Sequence, residues 1–274
     1  KDVAASTTAT GRKLLTYGKR VIEEVYGDTI CDTKNYGKVK SNAEYIYGDT
    51  DSVFFRSPYA DLDKTIDFGE SIAERYSVGA KQLEFEKILQ PFFSHGVKKR
   101  YVGKQIWPKE SMLIRGYETR RTDSFSIQIE ALEDIFSKLM DRDIDNALES
   151  SKNWVTRVSE GDFDDKNFVI SKTVNLKRKY VNEDNQAHLQ AYKKYIETGR
   201  PFVSGMKISF IVTDASVSPM KVEPYIPDEP CPKPDYNYYA DRIAKSLSRI
   251  TDVFDWDEKA LKKGKRAPKQ QTLF

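Results

Sequence analysis

The sequence has few of the features that mark secreted scaffolds or membrane proteins. It contains two cysteines among 274 residues, Cys31 and Cys231, and their wide separation fits no metal-ligand spacing. A disulfide-rich secreted scaffold is therefore excluded, and a reducing, cytoplasmic compartment is predicted. No run of about eighteen apolar residues is present, so no membrane span is expected, and the first residues contain no apolar signal-peptide core.

An excess of charge of one sign is also missing. Lysine and arginine number 45 against 42 aspartates and glutamates, which gives a formal net charge of +3. Net charge therefore does not indicate a nucleic-acid partner, and only local clusters of cations can do so. With 39% hydrophobic and 32% charged residues and a mean hydropathy of −0.65, the chain has a globular composition with a heavily charged surface.

The N-terminal part of the chain predicts a mixture of helices and strands. Residues 44–47 and 52–55 are rich in aromatic and β-branched side chains and flank a Gly-Asp-Thr-Asp turn, a pattern typical of a β-hairpin. Helices are predicted over residues 4–26 and 62–76, a connection over 32–42, and further strands over 82–88 and 99–106.

Beyond residue 120 the pattern becomes mostly helical. Five apolar residues recur at helical spacing and predict an amphipathic helix: Phe125, Ile129, Leu132, Phe136 and Leu139. Further helices are predicted over residues 144–158, 187–197 and 238–251, a strand over 208–212 and a proline-rich loop over 219–234. Residues 258–274 are rich in lysine and arginine without apolar periodicity, and we expect them to be mobile.

Asp49 and Asp51 form the pattern with the most chemical content. Two residues apart on a hairpin, their carboxylates can project to the same side, where they repel each other unless a cation neutralises them. Carboxylate oxygens suit Mg²⁺, and two such ions about 3.5–4 Å apart serve phosphoryl transfer. The alternative is a surface turn in which aspartate binds its own backbone.

A second cluster is basic. Lys98, Lys99, Arg100 and Lys104 lie within a stretch the length of one hairpin. Cations clustered in this way suit phosphate groups. The alternative is a solvated basic strand edge, which also discourages aggregation.

Five segments between residues 4 and 123 resemble, in order, the motifs of the family B DNA polymerases. Tyr47-Gly48-Asp49-Thr50-Asp51-Ser52 resembles motif C, and Lys98-Lys99-Arg100-Tyr101 matches the primer-binding motif. Residues 4–12 resemble the helix that follows motif B, residues 83–87 the segment before the primer-binding motif, and residues 115–123 the beginning of the thumb. Several motifs in the family's order make the resemblance specific; beyond residue 123 it is looser.

The resemblance implies roles for individual residues. Asp51 would be the principal metal ligand and a catalytic carboxylate, Asp49 its weaker catalytic and metal-binding partner, and Glu86 a nearby acid that tunes the metal site. The implied cofactor is Mg²⁺, bound as two divalent ions. Thr50 would lie against the primer end. The primer would be held by five further residues: Lys98, Lys99, Arg100, Tyr101 and Lys104.

The resemblance also implies an architecture and an activity. Residues 1–120 would form the C-terminal part of an α/β (α+β) palm, with an antiparallel sheet and hairpin backed by helices. Residues 121–255 would form a mostly helical thumb, and residues 256–274 a basic mobile tail. The implied activity is DNA-directed DNA polymerisation in DNA replication, the template-directed transfer of a nucleotide from a dNTP to the 3′-hydroxyl of a primer.

Neither motif A nor the lysine-bearing motif B is found in the sequence. The resemblance therefore implies that the chain is inactive without a larger polymerase chain that carries both motifs, as in the split archaeal family B polymerases, within a nucleoid-associated heterodimer. One alternative is a non-catalytic, DNA-gripping processivity subunit, although paired acids without a catalytic role would weaken DNA binding. Another is an unrelated phosphotransferase, which leaves residues 98–101 unexplained.

Three arginines near the expected start of the thumb allow two interpretations. Arg115, Arg120 and Arg121 either contact DNA or pair with Glu118 and Asp123 to fix the angle of the thumb.

Two histidines and the C-terminal residues complete the set of candidates. His95 and His188 lack partners at useful spacing and are expected to be structural or superficial. Gln270, Leu273 and Phe274 resemble the start of a sliding-clamp binding box, in which a helical turn enters an apolar groove. The alternative is a disordered basic tail.

Overall fold

The computed structural model describes residues 2–27, 29–33, 35–49, 52–77, 83–117 and 123–263. The chain forms two compact units. The first consists of Lys1–Gln90 with Lys104–Ser111, and the second of Pro91–Gly103 with Met112–Phe274. Helices and small sheets occur together, so the fold is mixed α+β.

The first unit combines two helices with two β-hairpins. Its elements are α1 (Asp2–Arg20), a π-helical turn (Val21–Val25), β1 (Thr29–Thr33), β2 (Gly37–Ser41), β3 (Glu44–Asp49), β4 (Ser52–Arg56) and α2 (Leu62–Tyr76). β1 pairs with β2 and β3 with β4, both antiparallel. Helix α2 begins at Asp61, whose carboxylate accepts the backbone N–H of Lys64 at 2.9 Å, which satisfies an otherwise unpaired donor of the first turn.

Aromatic packing around Phe68 forms the core of the first unit. The Phe68 side chain is fully buried on α2. The rings of Tyr26, Phe55 and Tyr59 meet it edge-on, with centroids 5.4, 6.0 and 5.4 Å away. These contacts join the end of the π-helical turn and strand β4 to α2.

A three-stranded sheet follows in the chain. It is formed by β5 (Ile88–Phe93), β6 (Tyr101–Trp107) and β7 (Ser111–Arg115), in the order β5-β6-β7.

The second unit is mostly helical and contains one further sheet. Its remaining elements are α3 (Ser126–Met140), α4 (Ile144–Glu160), β8 (Ile170–Thr173), α5 (Ala187–Glu197), β9 (Lys207–Asp214), β10 (Lys221–Pro224), α6 (Tyr236–Thr251) and α7 (Glu258–Lys263). The antiparallel sheet has the order β10-β9-β8. Helix α4 ends at Gly161, which adopts a left-handed conformation with φ of +72°.

The core of the second unit centres on fully buried aromatic rings. Phe125 and Phe168 both pack against Tyr239, with ring centroids 4.9 and 5.0 Å apart. The hydroxyl of Tyr239 accepts the backbone N–H of Val212 at 2.9 Å, so the ring is buried without leaving that oxygen unpaired. This arrangement ties α6 to β9.

The structure confirms most of the predicted elements. The hairpin around residue 49, the helix Leu62–Tyr76 and the helix Ala187–Glu197 occur where the sequence pattern placed them. The amphipathic pattern from Phe125 forms Ser126–Met140.

For two other segments the sequence predicted the wrong kind of secondary structure. The expected connection over 32–42 takes part in a hairpin, whose turn is held by Asn35 donating to the Asp67 carboxylate at 2.6 Å. The expected strand over 82–88 is irregular from Leu83 to Lys87, because Phe85 packs onto helix α2 instead of entering a sheet.

The tail also differs from expectation. Its first part was expected to be mobile, but Glu258–Lys263 forms a helix whose Ala260 and Leu261 side chains are buried in the second core. Strand Lys221–Pro224 likewise occupies part of the predicted proline-rich loop. Residues 264–274 lie outside the described residues.

Within the described part of the chain, no helix combines the length and the apolar character that crossing a bilayer requires.

His188 generates a prediction about pH and stability. Its side chain is 3% exposed, and burial lowers its pKa to about 4, assisted by Lys172 and Arg178. The unfolded chain binds this proton near pH 6.5, so between pH 6.5 and pH 4 the unfolded state holds more protons and stability falls as the pH decreases. We expect this residue to lower the free energy of unfolding by about 1–3 kcal/mol between pH 7 and pH 4.

Urea unfolding of the native chain and of His188→Gln at pH 7 and pH 4.5 measures this contribution. The variant should lose less stability on acidification than the native chain. An identical loss in both proteins would contradict the prediction.

Candidate functional site

Glycine at position 18 brings α1 against its neighbours in the first unit. A Cβ atom there would lie 2.9 Å from the Tyr76 ring and 3.1 Å from a methyl group of Val53, both too close to be tolerated without movement. The Tyr76 hydroxyl also donates to the Leu14 carbonyl oxygen. Helix α1 is therefore packed against α2 and against β4. Strand β4 is the second strand of the hairpin formed by β3 and β4, which we call the acidic hairpin.

The two strands of the acidic hairpin, β3 and β4, remain paired up to Asp49 and Ser52. Asp49 pairs with Ser52 across the two strands, and the Ser52 hydroxyl donates to the Asp49 carbonyl oxygen at 3.2 Å. A register shift between Tyr45 and Tyr47 bends β3. Gly48 gives space to the Tyr45 hydroxyl, since a Cβ atom there would lie 2.5 Å from that oxygen.

Asp49 itself lies at the C-terminal end of β3 with a half-buried side chain. The sequence placed Asp49 in a turn after a strand over residues 44–47, whereas in the structure the strand extends to Asp49 itself. Thr50 and Asp51 lie outside the described residues, so their expected roles stay predictions.

The segment Leu83–Lys87 is attached to α2 by one aromatic ring. Phe85 occupies the space left by Gly69, where a Cβ atom would lie 2.3 Å from the ring. On its other side Phe85 stacks on Trp107, with centroids 5.1 Å apart and planes at 19°. The backbone N–H of Leu83 donates to the Ser77 hydroxyl at 2.9 Å. Phe85 thus fixes the segment while leaving its acidic residues outside.

Glu86 is exposed and forms an ion pair with the neighbouring Lys87 at 3.0 Å. The carboxylate oxygens of Asp49 and Glu86 are hard ligands of the kind that Mg²⁺ prefers, so both residues fit this metal chemically. Residues in the described ranges form no cluster of three or more potential metal ligands.

The basic segment, Lys98–Tyr101, is part of the second unit and contains a turn. The backbone N–H of Arg100 donates to the Val97 carbonyl at 3.2 Å, and Lys99 adopts a left-handed φ of +65°. Gly116, with φ of +73°, approaches this turn so closely that a Cβ atom would lie 2.1 Å from the Lys99 carbonyl oxygen. Glycine is therefore required at that position.

The structure exposes the lysines of this segment and half-buries its last two residues. Lys98 and Lys99 are exposed, whereas Arg100 and Tyr101 are partly covered. Tyr101 packs against Phe92, with ring centroids 5.7 Å apart. Lys104 is exposed on β6 and belongs to the first unit.

Arg100 influences three residues that the sequence pattern did not connect with it. Burial raises the pKa of Tyr117 to about 12, and Arg100 opposes this rise. Burial and then Arg100 lower the pKa of His95, and the same two causes lower the pKa of Arg249 on α6. Arg249 thus adds to the positive charge around Arg100. The two residues are about 150 positions apart in the sequence, so no sequence pattern predicted that they lie near each other.

The remaining candidates are only partly covered by the structure. Arg115 is exposed on β7. The Asp123 carbonyl accepts a hydrogen bond from Arg242 at 3.0 Å. The other candidates lie outside the described residues: Glu118, Arg120, Arg121, Gln270, Leu273 and Phe274.

Comparison with known proteins places this arrangement in a family. The family profile described as DNA polymerase family B matches residues 1–254. The chain belongs to DNA polymerase family B. The match includes both the acidic hairpin and the basic segment, as the motif order predicted.

Relatives within DNA polymerase family B are similar over most of the chain. The DNA polymerase delta catalytic subunit of Plasmodium falciparum is 27% identical over 266 residues, which cover 92% of this chain and 23% of the relative. A DNA polymerase of Paramecium bursaria Chlorella virus NY2A is 32% identical over 223 residues, covering 76% of this chain and 22% of the relative. The chain thus spans about a quarter of the length of the curated relatives it matches.

A solved structure shows the same fold. The family B DNA polymerase from the hyperthermophilic archaeon Pyrobaculum calidifontis superposes with a TM-score of 0.59 at 21% sequence identity. The alignment covers 92% of this chain and 30% of that polymerase. The mixed α+β fold described here therefore corresponds to part of a family B polymerase.

The contact between Gly69 and Phe85 generates a prediction. In a helix interior, alanine is more stable than glycine by about 1 kcal/mol. In Gly69→Ala, however, the new methyl group must displace the Phe85 ring. We expect a net destabilisation of about 1–2 kcal/mol, typical of overpacking. In a Phe85→Ala background the same change should be neutral or stabilising.

A double-mutant cycle by chemical denaturation measures this coupling. An equal cost of Gly69→Ala in both backgrounds would show that the ring does not occupy this space.

Proposed function

We propose that the chain contributes the metal-binding hairpin and the primer-binding segment of a DNA-directed DNA polymerase. In this proposal the enzyme transfers nucleotides from dNTPs to the 3′-hydroxyl of a primer under the direction of a template. Residues 1–120 act as the C-terminal part of the palm, and residues 121–255 act as the thumb.

The observation that carries the proposal is the position of Asp49. It ends a strand that is directly paired with the strand beginning at Ser52, and in the sequence Asp51 lies between these two paired residues. Membership of DNA polymerase family B supports an interpretation of this turn as motif C. A simple surface turn would not explain the basic segment that follows in the family's order.

Asp51, Asp49 and Glu86 are the residues that would hold Mg²⁺, in declining order of importance. When bound, Mg²⁺ supplies positive charge that stabilises the phosphoryl oxygens during transfer. The chain's own contribution would be to hold strand β3, which ends at Asp49, through the packing at Gly48, and to hold the segment carrying Glu86 through the packing of Phe85 over Gly69.

Lys98, Lys99 and Arg100 would bind primer phosphates, with Thr50, Tyr101 and Lys104 near the primer end. The exposure of both lysines and the turn at Val97–Arg100 support this role. Phosphate contacts position nucleic acid without reading its sequence, which is the behaviour that a polymerase requires.

The reaction also needs a second aspartate motif and a fingers lysine. Residues 1–274 contain neither, and in this proposal a larger polymerase chain carrying motifs A and B supplies both. Binding of the C-terminal residues Gln270, Leu273 and Phe274 to a sliding clamp remains a separate prediction.

Asp51→Asn tests the catalytic part of the proposal. Combined with a larger chain that carries motifs A and B, this variant should extend primers at least about 100-fold more slowly, because the carboxylate that would hold Mg²⁺ is lost. Asp49→Asn should have a smaller effect. Asp63→Asn removes an exposed carboxylate elsewhere in the first unit and should leave the rate unchanged.

Primer extension and primer-template binding are measured on the same preparations. Full extension by Asp51→Asn would instead support the non-catalytic, DNA-gripping alternative. Extension by the 274-residue chain alone would rule out the requirement for a partner.

Lys98→Gln with Lys99→Gln tests the primer-binding part. Loss of two phosphate contacts should weaken primer-template binding and reduce the slope of log affinity against log salt by about 2. Fluorescence anisotropy across a salt series gives both quantities. Lys109→Gln with Lys259→Gln removes the same charge from other exposed positions and should preserve the slope; equal slopes for both pairs would argue against a specific phosphate contact.

A further inference from the structure

Tyr117 carries a buried hydroxyl without a hydrogen-bond partner. Its side chain is 5% exposed and belongs to the core of the second unit, where its ring meets Phe136 edge-on with centroids 4.8 Å apart. Among the residues that the structure describes, none forms a hydrogen bond with the Tyr117 hydroxyl. Buried polar groups are nearly always paired, so this hydroxyl calls for a partner that engages it in function.

The backbone next to Tyr117 lies against the side chain of Arg100. A Cβ atom at Gly116 would lie 2.9 Å from the Cγ atom of Arg100, and Gly116 turns the chain there with a φ of +73°. Tyr117 therefore directly follows the residue that contacts the Arg100 side chain.

Arg100 is fixed at its main chain but not at its guanidinium. Its backbone N–H donates to the Val97 carbonyl at 3.2 Å, and its carbonyl accepts the Ser94 hydroxyl at 3.2 Å. Within the described ranges the guanidinium forms neither an ion pair nor a hydrogen bond. A guanidinium has five N–H donors, and a phosphate bound in the bidentate manner uses two of them. Donors are therefore left over for a support inside the protein.

The electrostatics around Tyr117 agree with this pairing. Burial raises the pKa of Tyr117 to about 12, and Arg100 is the one charged side chain among the described residues that opposes the rise. The hydroxyl therefore stays protonated at physiological pH, and its lone pairs can accept a hydrogen bond. Arg249 also lies in the field of Arg100, but as a second guanidinium it offers donors only and cannot hold Arg100.

We propose that the Tyr117 hydroxyl positions Arg100 for primer binding, by accepting one guanidinium N–H and leaving the others directed at a primer phosphate. Tyr117 is in this role a positioning residue, because it acts through Arg100 and does not touch the DNA. The inference rests on the proposed role of Arg100 in primer binding, and it adds the residue that orients this side chain.

Tyr117→Phe tests the inference in the full 274-residue chain, because it keeps the ring on Phe136 and removes only the oxygen. Primer-template binding should weaken about tenfold, the effect typical of losing a hydrogen bond to a charged group. The slope of log affinity against log salt should not change, because no charge is removed. Thermal stability should not fall, because the free chain loses only an unpaired hydroxyl. A merely structural role would instead lower stability and affinity together.

A double-mutant cycle with Arg100→Ala shows whether the hydroxyl acts through Arg100. Arg100→Ala should weaken binding and reduce the salt slope by about 1, and Tyr117→Phe should then have no further effect. Tyr192→Phe is the matched control, since it removes a hydroxyl from another ring of the same unit, packed on Phe202 at 4.9 Å, and should bind natively. Fluorescence anisotropy without dNTP or divalent metal gives all the affinities.

Two results would overturn the inference and leave the primer-binding role of Arg100 intact. One is native binding by Tyr117→Phe beside weakened binding by Arg100→Ala. The other is coupling of Arg100 to His95→Ala and not to Tyr117→Phe, which would assign the support to the imidazole, whose Nδ1 atom is also buried without a partner among the described residues.

Two further results would also contradict it. An equal loss of affinity from Tyr117→Phe with and without Arg100 would show that the hydroxyl does not act through Arg100. Native binding by Arg100→Ala would overturn both the inference and the proposed role of Arg100 in holding the primer.

Discussion

The first unit depends on the burial of a single phenylalanine. Phe68 is covered by Tyr26, Phe55 and Tyr59, and such edge-on aromatic contacts contribute about 0.5–1.5 kcal/mol each beyond the area they bury. Among the residues of this unit that the structure describes, few other apolar side chains are buried, so these rings provide much of its cohesion. Through Phe55 the same contacts fix strand β4, which pairs with β3 as far as Asp49. The position of Asp49 at the end of β3 therefore follows from the packing of the strand that β3 is paired with.

The second unit achieves its rigidity differently. Its core contains many fully buried residues from α3, α4, α6 and the sheet, and polar bonds add specificity within it. Burial raises the pKa of Asp134, but hydrogen bonds from Lys138, Ser150 and Trp154 outweigh it and leave that pKa lowered. These bonds join α3 to α4. A body of this kind can display exposed cations at fixed positions, which suits the basic segment Lys98–Tyr101.

Local patterns in the sequence predicted the elements whose signal is local. The hairpin around Gly48 and the helices with regular apolar spacing belong to this group, as does the ordered set of polymerase-like motifs. The elements that were missed depend on distant partners: β1 and β2 are attached by the bond from Asn35 to Asp67, and residues 83–87 follow the insertion of Phe85 over Gly69. Helix α7 offered only Ala260 and Leu261 as buried residues, too few for a periodic signal. The closeness of Arg249 to Arg100 is likewise a product of tertiary structure.

The proposed polymerase function requires residues 49–51 to lie beside a divalent ion during catalysis. Fe²⁺ can replace Mg²⁺ and, with ascorbate and peroxide, generates hydroxyl radicals that cut the backbone close to the ion. In a complex of this chain, a larger chain with motifs A and B, primer-template DNA and a dNTP, cleavage should occur next to residues 49–51 and should disappear with excess Mg²⁺. Cleavage confined to other parts of the chain, or insensitive to Mg²⁺, would contradict the account.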